Sequence, residues 1–270
     1  MKAIVVVAAI LAFAGLSSSA SALRSHDDEV RIAIYRGPAA CEDCAEALMR
    51  AIRRVDPQYR VDFVGPNERR DVSAGTLSRY AVYIQPGGGQ DIDGALHALG
   101  DGRRSAIRSF VANGGGYIGI CMGAYLADRT NLALIDATLD SEVGRPGTQA
   151  HSEDDTVVGV RWGDRHRTLY YQDGPYLPQA ADKPGFRPLA AYRNGDIAAA
   201  RYSSGKGVVV LSGPHPEADA SWYRDAGLPR SAVPQDRPVE LLLREIPTVR
   251  AARRNPLAWP IDQLRRIAAT

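Results

Sequence analysis

The chain has 270 residues, 45% of them hydrophobic and 24% charged, which supplies one sizeable core and excludes a disordered or low-complexity protein. Its formal charge is +2, and loss of Lys2 with an N-terminal leader would leave +1. No strong field therefore calls for nucleic acid or a membrane surface as partner.

At the N-terminus, Met1-Lys2 precedes an uncharged apolar stretch from Ala3 to Leu16 and the small-residue run Ser17 to Ala22. The stretch is too short to span a bilayer, and Ala20-Ser21-Ala22 fits the small-x-small cleavage rule. Residues 1–22 thus read as a signal peptide, and residues 23–270 as a single mature domain beginning near Leu23. The expected location is secreted or periplasmic, without stable membrane insertion after cleavage.

In chain order, Val30 to Tyr35 predicts a strand, Ala45 to Val55 a helix, and Tyr59 to Val64 and Tyr80 to Gln85 two further strands. This is the βαβ rhythm of a mostly parallel sheet. Cys41-Glu42-Asp43-Cys44 opens the first helix. In an exported chain the close pair Cys41 and Cys44 is expected to form a structural disulfide, leaving Cys121 as the odd thiol; redox exchange is the alternative use of the pair. A zinc site would need two more ligands, which no second C-x-x-C or paired His supplies, so no metal is expected.

Further on, Ser105 to Ala112 predicts a helix stopped by Asn113-Gly114-Gly115-Gly116, and Tyr117 to Ile120 a buried strand. The second half is richer in β: Thr156 to Arg161, Leu169 to Gln172, Ile197 to Tyr202 and Val208 to Leu211 read as strands, and Val239 to Glu245 as a late helix. Arg250, Arg253, Arg254, Arg265 and Arg266 read as the solvated face of a terminal helix. No repeat, linker or composition shift marks a second domain.

The chemistry centres on Cys121. Gly119-Ile120-Cys121-Met122-Gly123 is the pattern of a nucleophile elbow, in which a buried strand turns sharply into a helix and the turn side chain stands above the sheet edge. A thiol needs a base to become an effective nucleophile. His215, just after the strand Val208 to Leu211, is the candidate, and Glu217 can accept the proton of its other ring nitrogen and stabilise imidazolium. Gly87 and Gly88, in the Pro86-Gly87-Gly88-Gly89 turn after another strand, can offer backbone N–H groups that form an oxyanion hole with that of Met122. Tyr125, Tyr171 and Asp173 are candidate substrate-pocket residues, with core packing as the other reading of the tyrosines. His26 falls in the expected frayed mature N-terminus, and His97, His151 and His166 lie in polar surroundings without partners; all four read as surface residues.

Gly-x-Cys-x-Gly at Gly119 to Gly123, Pro-Gly-Gly at Pro86 to Gly88 and His-Pro-Glu at His215 to Glu217, in that order, resemble the class I glutamine amidotransferase-like superfamily. The resemblance implies a flavodoxin-like α/β three-layer sandwich, with a mostly parallel central sheet, the elbow, a Cys-His-Glu triad and extra β-strands in the C-terminal half. Within that superfamily, Gly114 to Tyr125, Tyr170-Tyr171-Gln172-Asp173-Gly174-Pro175 and Gly213 to Glu217 are most similar to the domain at the N-terminus of eukaryotic biotin-protein ligases, of which stand-alone exported versions exist. Glutaminases of the superfamily carry Gln four residues after the nucleophile, where this chain has Tyr125. The chain shows neither a synthetase domain to receive ammonia nor a biotinylation-type catalytic domain or Gly-rich ATP loop.

The expectation is therefore an exported hydrolase that cleaves an amide or ester of a small molecule or peptide through a thioester on Cys121, without a cofactor. Glutamine amidotransfer and biotin ligation are not expected. The alternatives are a non-catalytic ligand-binding module on the same fold and a redox protein using Cys41 and Cys44; a pocket closed by the Asp93 to Asp101 segment would leave the same motifs inert.

Overall fold

A computed structural model describes residues 29–254. The expected signal peptide, His26, Arg265 and Arg266 lie outside the described residues.

The first half alternates strand and helix: β1 (Arg31–Tyr35), α1 (Cys44–Val55), β2 (Arg60–Val64), α2 (Ala74–Leu77), β3 (Val82–Gln85), α3 (Ile92–Ala112), β4 (Gly116–Ile120) and α4 (Met122–Tyr125). Then come β5 (Asp140–Ser141), β6 (Thr156–Trp162), β7 (Arg165–Tyr171), β8 (Pro175–Tyr176), β9 (Arg187–Tyr192), β10 (Ile197–Ser204) and β11 (Gly207–Ser212). The described chain closes with α5 (Ala220–Asp225), α6 (Val239–Leu243) and α7 (Pro247–Arg254).

The main sheet runs β2-β1-β3-β4-β11-β10-β9-β6-β7. The first five strands in that order are parallel neighbours, and the remaining pairings are antiparallel. Period-two alternation divides the core between the sheet's two faces. Ile32, Ile34, Val82, Ile84, Ile118 and Ile120 pack with Leu48, Ile52, Leu242 and Leu243 of α1 and α6. Ala33, Tyr35, Tyr83 and Tyr117 pack on the other face with Leu99, Ile107 and Val111 of α3. Each fully buried Leu or Ile contributes roughly 1.5–3 kcal/mol. The result is the expected three-layer α/β sandwich with added strands.

Two departures from the sequence expectations have local causes. The helix expected from Ser105 begins instead at Ile92, where Asp91 accepts the Gly94 N–H, and continues across a kink at Gly100 with φ 66°. The Asp93 to Asp101 segment is therefore mostly helix, anchored in the core by Ala95 and Leu99. Arg187–Tyr192 does not read as a strand in the sequence because Pro188 lacks a ladder N–H; it pairs with β10 where the register shifts.

Parallel β3, β4 and β11 end at one edge, which brings together the loops beginning at Pro86, Cys121 and Gly213. β7 stands four strands from β11, roughly 19 Å in a flat sheet. Yet the His215 N–H donates to the Tyr170 carbonyl at 2.9 Å. The antiparallel half therefore curls back, delivering the end of β7 to the same edge.

At the end of β4, Cys121 adopts φ 51° and ψ −114°, a conformation that costs a non-glycine residue on the order of 1–3 kcal/mol. The turn is forced by close backbone approach: a Cβ on Gly123 would stand 2.1 Å from the Gln85 carbonyl oxygen, and one on Gly119 2.3 Å from that of Gly123. In denaturant titrations, Cys121→Gly is expected to be more stable than Cys121→Ala by about 1 kcal/mol, because glycine accepts this φ. Gly123→Ala is expected to destabilise the fold by about 3 kcal/mol or more.

Candidate functional site

The elbow leaves Cys121 as a free, buried cysteine, 5% exposed, at the head of α4. Its thiol donates to the Gln172 carbonyl at 3.2 Å. The Met122 N–H, in the first position of α4, has no acceptor within its own helix. On the neighbouring strand end, the Gly87-Gly88 turn lies against the same site. A Cβ on Gly87 would be 2.6 Å from His215 Cε1, and one on Gly88 2.4 Å from Met122 Cε. Only glycine lets this turn approach so closely.

His215 is held by its backbone bridge to Tyr170, and its Nδ1 lies 2.8 Å from Glu217 Oε1. His215 is 4% exposed and Glu217 1%. Burial is the largest influence on the imidazole and opposes its charge. The negative charge of Glu217, followed by charge and hydrogen bonding from Cys121 and the Glu217 bond, outweighs burial and raises the His215 pKa to about 10. With Nδ1 committed to Glu217, Nε2 is the ring nitrogen left for the cysteine.

The loop after β7 covers the thiol. Asp173 has φ 45°, its carbonyl accepts from the Tyr125 hydroxyl at 3.1 Å, and its carboxylate accepts from Ser141 at 2.5 Å. Tyr125 and Asp173 are partly exposed beside Cys121. Tyr171 is fully buried, and its hydroxyl donates to the Gly174 carbonyl at 2.8 Å. It braces the loop from beneath and is a core residue; it does not line a pocket. Ionisation of both tyrosines is pushed up, by burial first and then by neighbouring negative charge.

Cys41 and Cys44 are joined as a disulfide with Cα atoms 5.3 Å apart, and the Cys41 N–H donates to the Gly87 carbonyl at 3.0 Å. His97, His151 and His166 are exposed and outside the site. Among the described residues, no group of three or more His, Cys, Asp or Glu side chains is placed to hold a metal ion.

Two members of the site are not visible in the sequence pattern. Gln172 acts through its main-chain carbonyl, which no side-chain pattern reveals. Trp222, on α5, packs its ring 5.2 Å from that of His215 and donates its indole N–H to Asp43 at 3.1 Å. The one available signal for α5 is Asp219, which accepts the Ser221 N–H at the helix start.

Residues 30–134 match the family described as "Biotin-protein ligase, N terminal". A biotin-protein ligase of Schizosaccharomyces pombe is 29% identical over 223 residues, covering 71% of this chain. The chain spans 34% of that ligase's length. Among solved structures, a GMP synthase-like protein of Thermoplasma acidophilum superposes with TM-score 0.53 at 13% identity, over 84% of this chain and 96% of that one. A glutamine amidotransferase superposes with TM-score 0.51 at 16% identity, over 73% of this chain and 99% of that one. Residues 30–134 are thus similar to the N-terminal domain of biotin-protein ligases, and the fold is the flavodoxin-type α/β fold of the glutamine amidotransferase and the GMP synthase-like protein.

A histidine raised from 6.5 to about 10 lends stability in full below pH 6.5 and loses it as pH rises toward 10. Wild-type stability, followed by denaturant unfolding, is expected to fall over that window, and Glu217→Gln to flatten the fall. The same variant is expected to lose about 3–5 kcal/mol at neutral pH, because it breaks a buried charged pair.

Proposed function

We propose that this chain is an exported cysteine hydrolase acting on an amide or ester bond of a small molecule or peptide. The observation that carries the reading is His215, buried between Glu217 and the strained Cys121, with its Nδ1 2.8 Å from the Glu217 carboxylate. In the proposed cycle His215 already holds the thiol proton as imidazolium, and the Cys121 thiolate attacks the acyl carbon through Sγ. The tetrahedral oxyanion is held by N–H groups from Gly88 or Gly87 and from Met122. His215 returns its proton to the leaving amine or alcohol as the thioester forms, then activates the water that releases the acid. Losing one oxyanion donor typically slows such a step by on the order of a hundredfold. Support for export comes from the apolar stretch Ala3 to Leu16 and the cleavage-like Ala20-Ser21-Ala22 that follows it.

Biotin ligation and glutamine amidotransfer, the activities in the relatives' names, form no part of this proposal. Tyr125 stands four residues after Cys121, and its hydroxyl is engaged by Asp173. A second reading, a ligand-binding module without turnover, draws support from the buried thiol resting on the Gln172 carbonyl.

Iodoacetamide labelling of Cys121, followed by peptide mass spectrometry in wild type and His215→Ala, separates the two. The hydrolase reading expects labelling at pH 6.5 to slow at least tenfold in His215→Ala. Slow labelling that is the same in both proteins supports the binding module.

A further inference from the structure

The disulfide turn touches the candidate site at two points. The Cys41 N–H donates to the Gly87 carbonyl at 3.0 Å. Asp43, although it is the residue before α1, makes no side-chain cap. It binds Arg50, which also pairs with Asp219, and accepts the indole N–H of Trp222, whose ring packs on His215. A further bond ties the preceding loop to the end of β3: Gln85 Nε2 donates to the Ala39 carbonyl at 2.7 Å, while the Tyr83 hydroxyl fixes Gln85 Oε1 at 2.6 Å.

The bond to Gly87 has a geometric consequence. The described peptide bonds are trans, and in a planar trans peptide the C=O of one residue and the N–H of the next point in opposite directions. Anchoring the Gly87 carbonyl on Cys41 therefore turns the Gly88 N–H away from Cys41. Of the two residues flanking this peptide, Gly87 lies against the His215 ring and Gly88 against the Met122 side chain. A rotated Gly87–Gly88 peptide would offer a carbonyl where an oxyanion needs a donor.

We infer that the Cys41–Cys44 disulfide turn is a positioning element for the oxyanion hole: it fixes the Gly87–Gly88 peptide in the donor-inward orientation, so that the oxidised turn is the form competent for acyl transfer. Its consequence for rate rests on the hydrolase reading above. The turn itself takes no part in bond making. Glycine on both sides of the peptide leaves little intrinsic resistance to rotation, which makes an external anchor necessary.

The test compares two reactions of one thiol. Acylation of Cys121 by p-nitrophenyl acetate passes through an oxyanion, whereas alkylation by iodoacetamide is a displacement at carbon that does not. Both second-order rates are measured in wild type and in Cys41→Ser/Cys44→Ser, with amide hydrogen exchange followed over residues 86–90. The ratio of acylation to alkylation is expected to fall at least tenfold in the variant, and exchange over 86–90 to rise at least tenfold.

Should the variant not fold, wild type reduced by dithiothreitol replaces it. Dithiothreitol closes to its cyclic disulfide while the Cys41–Cys44 bond breaks and both sulfurs become thiols, and the reagent is removed before assay. An unchanged ratio with unchanged exchange overturns the inference, as does an equal fall in both rates. If wild-type Cys121 accepts no acyl group, the hydrolase reading fails, and the exchange rates alone then decide whether the disulfide holds the peptide.

Discussion

The backbone at Cys121 is the constraint from which the rest of the site follows. A residue at φ 51° and ψ −114° joins a fully buried strand to a four-residue helix, and relaxing it would move the thiol off the sheet edge. The surrounding structure over-determines the turn. Its N–H donates to the Ser212 carbonyl at 2.8 Å, its carbonyl accepts from Ala124, and the backbone of Gly123 is pressed against Gln85. Strain is therefore stored where three strand ends converge, the position at which open α/β sheets place their ligands.

Electrostatics then set the charge of the imidazole beside this cysteine. Burial alone would leave His215 neutral and the pair inert. The Glu217 carboxylate, two residues along and almost wholly buried, reverses that outcome. The arrangement depends on the Gly213 to Glu217 loop being held from both sides, by β11 behind it and by the Tyr170 carbonyl in front. The curl of the antiparallel half is thus part of the site. It supplies the Tyr170 bridge, the Gln172 carbonyl over the thiol and the Asp173 loop.

Much of this is legible in the sequence, for identifiable reasons. Period-two runs such as Ile32-Ala33-Ile34-Tyr35 announce strands buried on both faces, and the glycines flanking Cys121 announce the turn. The two-residue spacing of His215 and Glu217 places both side chains on one side of an extended loop, where the structure brings them together. The N-terminal half of α3 is hidden because Gly94, Gly100 and Gly102 dilute its helical pattern, and β9 because Pro188 contradicts a strand. The convergence of β7 with β11 depends on sheet curvature, and the Asp43–Trp222 contact joins residues 179 apart in sequence. Neither leaves a local trace.

The site turns on His215, held as imidazolium at neutral pH because Glu217 and Cys121 outweigh its burial. The most direct measurement is an NMR titration of the His215 ring in the wild-type protein. The expected result is an imidazolium that persists through neutral pH and titrates near 10. A ring that titrates at or below its ordinary value of 6.5 would show that burial outweighs Glu217 and that the imidazole is neutral in the resting site.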